Sequence, residues 1–296
     1  MIVGLSTAHL LASEATVAAI LDEVAALAPA AVELAAGGPA GLQRALAGAV
    51  ATARQGLPLV ALEAFFPGPR PLAGPALTAP DAGERAAAQK LCERSILTAA
   101  ELGARVVVVA LGAVGFDAEK EQLRQAFERG ELDAKTWQRK RAERAAAAPP
   151  HLDAARLALE PLLRLAEAAT VTLAVCNRPD YDQIPDPDEV ARLLADFRGA
   201  PLGTWFDSAA AHVQEALGAA PAGAHLAAFG RAAVGVHLGD AAGLARGLAP
   251  GTGVIDFAAL KPALPAEAPL FVHCAPGVFR REVHEALAEM RRIFVG

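Results

Sequence analysis

The residues best equipped for chemistry in this chain stand where short apolar runs give way to polar ones. Val171–Cys176 ends in Cys176 and is followed by Asn177, and Gly203–Asp207 ends in Asp207. Ala233–Leu238 carries His237 with Asp240 just beyond it, Pro269–Cys274 carries His273 and Cys274, and Ala31–Ala35 carries Glu33. His9 and Glu63 occupy comparable places after Ile2–Ser6 and within Leu57–Phe65. Asp, His and Cys are all metal-ligand types, and a mixed nitrogen, oxygen and sulfur set favours zinc or another borderline divalent ion over magnesium. Arg178, beside Asn177, and Trp205, close to Asp207, are of types that contact sugars or phosphates. Each also has an ordinary role open to it, Trp205 in the core and Arg178 as an ion-pair partner of Asp180 or Asp182.

The elements that must position these residues are legible as a rhythm. Together with Ala104–Leu111, the apolar runs make eight strand candidates. The stretch Val106–Leu111 is apolar throughout, as expected of a strand buried on both faces in a parallel sheet. Between the strands, helical spacing marks Thr16–Leu27, Ala40–Arg54, Asp81–Leu102, Leu152–Ala169, Asp188–Phe197, Phe257–Leu264 and Val278–Ile293. Asp153 after Pro149–Pro150 and the acids at Asp186–Glu189 read as helix starts, and Gly103 as a C-terminal cap. This alternation predicts a (β/α)8 TIM barrel forming a single domain over residues 1–296. Its competitor, a doubly wound sheet, lacks a G-x-G-x-x-G after the first strand. In a barrel the C-terminal strand ends converge on one mouth, where residues far apart in sequence can meet. One helical insertion after strand 4, about 113–150, interrupts the rhythm with Asp117–Arg129 and Asp133–Ala147. It reads equally as a lid, a dimer contact or an exposed hairpin with no catalytic role.

Composition narrows the function classes. A chain of 296 residues with net charge −6 and interspersed charges offers no extended basic face, so nucleic acid is not an expected partner. The richest basic cluster, Trp137–Arg144, reads as a solvated helix face. No apolar segment approaches the ~20 residues of a membrane span, and the N-terminus lacks a basic leader. Three cysteines without a CxxC pair fit reduced thiols. A cytoplasmic protein with no membrane partner is expected.

The order of these pieces resembles the xylose isomerase-like TIM barrels, the superfamily of sugar-phosphate isomerases and epimerases that also includes endonuclease IV-type apurinic-site nucleases. The matching pieces are GLS in the first strand, VEL at Val32–Leu34, Ala99–Gly112, Asn177–Pro185, Thr204–Ala211, Val234–Asp240 and Gly251–Leu260. The resemblance implies one divalent metal, zinc or manganese, held by a Glu, an Asp, a His and a Glu after the last four strands. The two Glu side chains would move protons through an enediolate. The Asp falls on Asp207 and the His on His237. The first Glu position holds Cys176, the last falls near His273, and a further His position holds Ala210. The expected metal set is therefore Cys176, Asp207, His237 and His273. His273, Cys176 and Glu33 are the candidate catalytic groups, and Asn177, Arg178 and Trp205 the candidate substrate contacts. The resemblance implies a sugar (or sugar-phosphate) isomerase or epimerase acting on a small polyhydroxylated substrate, perturbed by loss of the two-glutamate pair, with pairing into a homodimer. The alternative is a catalytically inactive TIM-barrel descendant that binds a small molecule or protein partner. A nuclease would need a trinuclear metal cluster, and too few of its ligand positions are filled.

Overall fold

The computed structural model of the protein describes residues 1–11, 15–52, 57–68 and 76–296. Eight parallel strands close into a barrel: β1 (Ile2–Ser6), β2 (Val32–Leu34), β3 (Leu59–Glu63), β4 (Val106–Val109), β5 (Thr172–Cys176), β6 (Leu202–Asp207), β7 (Ala233–Leu238) and β8 (Pro269–Val272). Each pairs with its neighbours in chain order, and β8 closes on β1. The register sets Asp207 beside His237 and Ser6 beside Glu33, so the chemically capable ends share one rim. The valines of β4 are all buried, consistent with β-branched side chains packed on both faces.

Helices wrap the barrel: α1 (Val17–Leu27), α2 (Ala40–Thr52), α3 (Ala82–Leu102), α4 (Asp117–Glu128), α5 (Ala134–Ala147), α6 (Pro149–Ala168), α7 (Pro187–Asp196), α8 (Ser208–Ala216), α9 (Phe257–Leu260) and α10 (Arg280–Phe294). Gly103 closes α3 in the left-handed conformation, and Asp186 with Glu189 forms a capping box on α7. The expected end of α2 at Arg54 lies outside the described residues. Helix α6 begins at Pro149, not after the Pro pair. Proline suits the first helical positions, where its missing N–H would have had no partner. Helix α8 directly abuts β6 with no breaker between them, which is why strand-to-helix periodicity does not reveal it. A hairpin of Asp240–Ala242 with Ala245–Leu248 and a ribbon pairing Gly112–Ala113 with Gln183–Ile184 are likewise additions to the expected plan.

The basic cluster at Trp137–Arg144 is not a uniformly solvated face. Trp137 and Arg144 are buried while their neighbours Gln138, Arg139 and Arg141 are exposed. The two buried residues are seven apart, two helical turns, and so share one side of α5. Trp137 packs edge-on against Tyr181 at 5.7 Å in a small second core with Leu123, Val213 and Leu217. The Arg144 guanidinium bonds both oxygens of Glu189, Asp186 at 3.0 Å and the Gln183 carbonyl at 2.9 Å. Helix α5 is thereby fastened to the chain that leaves β5. Among the described residues, no helix is long and apolar enough to cross a membrane.

Inside the barrel, Trp205 stacks on Phe271 with ring centroids 5.5 Å apart, amid Ala31, Ala61, Ala174 and other small residues. Gly235 makes room for it: a Cβ there would lie 2.1 Å from the indole. The His237 ring stands edge-on to that indole at 5.2 Å, so the tryptophan is the floor beneath the histidine. Gly235→Ala overpacks this point and should cost about 1–3 kcal/mol. Chemical denaturation measures that loss, and a shift in tryptophan emission should accompany it.

His225 gives the fold a pH dependence. It is buried against Phe229, and neither ring nitrogen has a hydrogen-bond partner among the described residues. Burial lowers its pKa to about 4 from 6.5, with nearby Asp186 opposing. The unfolded chain then binds a proton that the folded chain refuses. The resulting stability is fully present above about pH 6.5 and is lost as pH falls towards 4, on the order of 3 kcal/mol. Urea melts at pH 7 and pH 4.5 should show that His225→Phe flattens this decline.

Candidate functional site

Five of the residues singled out from the sequence meet at the C-terminal mouth of the barrel. Glu33 leaves β2, Cys176 ends β5, Asp207 ends β6, His237 lies near the end of β7, and His273 follows β8. Two overlapping groups result, Glu33–His237–His273 and Cys176–Asp207–His237, and within each group the ligand atoms lie within 4.8 Å of one another. The four expected metal ligands thus divide. Cys176 and Asp207 share one side of His237, while His273 lies with Glu33 on the other.

His237 links the two. Its Nε2 is 2.7 and 2.9 Å from the Glu33 oxygens, a hydrogen bond to a carboxylate that is 0% exposed. Its Nδ1 is 3.7 Å from Asp207 Oδ2, an ion-pair distance. The ring of His273 lies 4.1 Å from that of His237, and its Nδ1 is 3.8 Å from Glu33 Oε2. Burial disfavours charge on Glu33, Asp207 and His237, but their mutual attraction prevails. Against burial, the charge and hydrogen bond of His237, with help from His273, hold the Glu33 carboxyl well below the usual carboxylate range. Asp207 is held low in the same way, again against burial. His237 is raised well above its ordinary value by Glu33, Asp207 and Cys176, although burial pulls the other way. The Cys176 thiol is raised by burial and the Asp207 charge, with His237 and Arg178 opposing.

The supporting contacts are local and specific. Asp207 caps α8 by accepting from the Ala210 amide at 2.9 Å through Oδ1, so its other oxygen is the one turned to His237. Asn177 bonds the Asp207 backbone twice, at 2.9 Å to its carbonyl and 2.7 Å from its amide. The Asn177 side chain therefore anchors Asp207. Arg178 is half-buried, and its carbonyl accepts from Gln214 at 2.7 Å. Trp205 is fully buried under His237. His9 is buried beside Ser6, its pKa lowered to about 4 by burial and the His273 charge against the Ser6 hydrogen bond. Asp240 is also fully buried and serves the backbone of its own loop.

A cavity of about 600 Å³ opens at the mouth, lined by Glu63, His273, Cys274 and Arg246 and by the backbone of Gly37 and Gly38. Its size is ordinary for a small-molecule site. The His273 side chain, 18% exposed, is the member of the buried cluster that reaches this space. Arg246 escapes sequence reasoning because it lies on the hairpin after β7, beyond any strand end.

The donor set fits a borderline divalent ion. Bonds of about 2.0–2.3 Å in tetrahedral array place donors about 3.3–3.8 Å apart. Small adjustments of Cys176, Asp207 and His237 reach such a geometry from the present spacing. A metal-ligating histidine usually donates its second N–H to a carboxylate, and Glu33 stands in that position. The 2.7 Å contact makes Glu33 a hydrogen-bond partner of His237, so the Cys176 side is the more suitable ligand face.

The chain is similar in structure to a D-tagatose 3-epimerase-like protein (TM-score 0.71, 17% identity, covering 100% of this chain and 97% of that one). An L-ribulose 3-epimerase gives 0.68 at 19% identity, covering 100% and 93%. The D-psicose 3-epimerase of Clostridium cellulolyticum H10, solved with D-tagatose, gives 0.69 at 15% identity, covering 99% of each chain. No curated protein sequence matches the chain. The family model for the xylose isomerase-like TIM barrel matches residues 21–274, across all of α2 to β8, and the chain belongs to that family.

Proposed function

We propose that the protein is a metal-dependent isomerase or epimerase of a small sugar or sugar phosphate, with Cys176, Asp207 and His237 as its metal ligands. The observation that carries this reading is the orientation of His237, with Glu33 on one nitrogen and Asp207 and Cys176 facing its other side. The sugar 3-epimerases among the similar structures support the substrate class. Zinc suits the thiol-containing donor set better than manganese does. A bound divalent ion would supply Lewis-acid polarisation of the substrate carbonyl and its neighbouring hydroxyl.

The remaining chemistry falls to the chain's own residues. His273 reaches the cavity and takes the proton from the carbon beside the substrate carbonyl, then delivers it to the former carbonyl carbon while the hydroxyl proton passes between the two adjacent oxygens, the transfer that interconverts a ketose and an aldose. Glu33 behind it, 3.8 Å from its Nδ1, orients the imidazole. Asn177 fixes the height of Asp207 in the rim, and Trp205 prevents His237 from sinking into the barrel. The symmetrical pair of glutamates is replaced by a thiol and an imidazole, so proton transfer and metal binding are divided between the two sides of His237.

A second reading has its own support. As an imidazolium, His237 already neutralises charge between Glu33 and Asp207, which would let the cluster persist without an ion in a catalytically inactive descendant. Metal analysis separates the two. Protein purified without chelator should contain near-stoichiometric zinc, and Cys176→Ser, Asp207→Ala or His237→Ala should each reduce it at least about tenfold. Cobalt substitution should give a sulfur-to-metal absorption band that disappears in Cys176→Ser. Metal-free protein after supplementation with both zinc and manganese would favour the inactive descendant. For the proton transfer, NMR in D2O should detect deuterium entering a ketose at the carbon beside its carbonyl. His273→Ala should reduce that rate by about 100-fold or more.

A further inference from the structure

We propose that the mouth cavity selects substrates bearing a phosphate or carboxylate, held by Arg246 at the cavity rim. This rests on the sugar-directed reading above and specifies the class of sugar. Arg246 lines the same cavity as His273 and Glu63, and no described residue forms a hydrogen bond or ion pair with its side chain. The other acidic groups around the site already have partners: Glu33 has the two histidines, Asp207 has His237 and the Ala210 amide, and Glu63 accepts from the Ala36 amide. Among the described residues that line this cavity, Arg246 therefore offers a guanidinium to an incoming anion.

The support beneath Arg246 is unusually firm for an exposed hairpin. The fully buried Asp240 carboxylate accepts from the amides of Ala241, Gly251, Gly253 and Ile255 at 2.8–3.1 Å, tying the hairpin to the segment that follows it. On the other side, the Gly247 carbonyl accepts from the Ala275 amide at 2.7 Å, which joins the hairpin to the loop after β8. Gly247 has φ +76°, and a Cβ there would lie 2.8 Å from that of Ala275, so the close approach requires glycine. Arg246 is thus presented from a fixed base between two stitched points. The backbone beneath it is fixed, and the planar guanidinium fork matches the paired oxygens of phosphate or carboxylate. A sugar with its carbonyl at His273 and its anionic group on Arg246 contacts two residues that line the one cavity.

Calorimetric titration of the purified protein with D-tagatose, D-tagatose 6-phosphate and D-tagaturonate tests this on one carbon skeleton. At least one anionic sugar should bind about tenfold or more tightly than the neutral one, and the stronger of the two identifies phosphate or carboxylate. Arg246→Ala should bring the three within about twofold, and Arg246→Lys should restore part of the preference. Equal binding of all three sugars by the unaltered protein, binding of none, or a preference that survives in Arg246→Ala would overturn the proposal. Its failure is distinct from failure of the functional reading. A protein that holds zinc and exchanges the ketose proton, yet shows no anion preference, contradicts only the role of Arg246. An anion preference in a protein without metal or proton exchange contradicts only the enzymatic reading.

Discussion

The imidazole of His237 is held on one nitrogen by Glu33 and faced on its other side by Asp207 and Cys176, all of them almost completely enclosed. An uncompensated charge in such a place would cost several kcal/mol, so these groups tolerate burial because they occur together. Glu33 and His237 are 204 positions apart in the chain. Their contact exists only when β8 closes on β1 and β1 on β2, bringing the two halves of the barrel to one rim. Barrel closure and site assembly are thus the same event.

Small residues and backbone bonds turn that closure into a defined geometry. Gly235 admits the Trp205 ring, which supports His237 from below. Asn177 bonds the backbone of Asp207 from the neighbouring strand, and the Ala210 amide takes one carboxylate oxygen. Asp207 is at once the end of β6, the cap of α8 and a member of the site. Each role fixes the side chain for the others, as a preorganised site requires.

Among the described residues, two sides of the mouth differ. Helices α4 and α5 build a second apolar core with Tyr181 and α8, and Arg144 clamps α5 to the chain after β5. That side lies over the strands carrying Cys176 and Asp207. The other side, between β8 and the first strands, contains the cavity with His273, Glu63 and Arg246.

The eight apolar runs, their helical spacers and most caps were legible in the amino-acid sequence because periodicity and capping are local properties. The strand ends also marked Glu33, Cys176, Asp207, His237 and His273 as chemically capable, since a polar residue after a buried strand stands out within a few positions. Only the tertiary structure decided how these residues divide around His237, because that depends on which way each ring and carboxylate turns after closure. It also moved Trp205 to the floor, gave Asn177 an anchoring role, buried Arg144 within an apparently solvated basic run, and brought Arg246 to the rim. These outcomes depend on contacts between distant segments, for which the chain carries no local signal. The sequence determined the barrel and the kinds of atoms at its mouth; three-dimensional closure determined which of those atoms face one another.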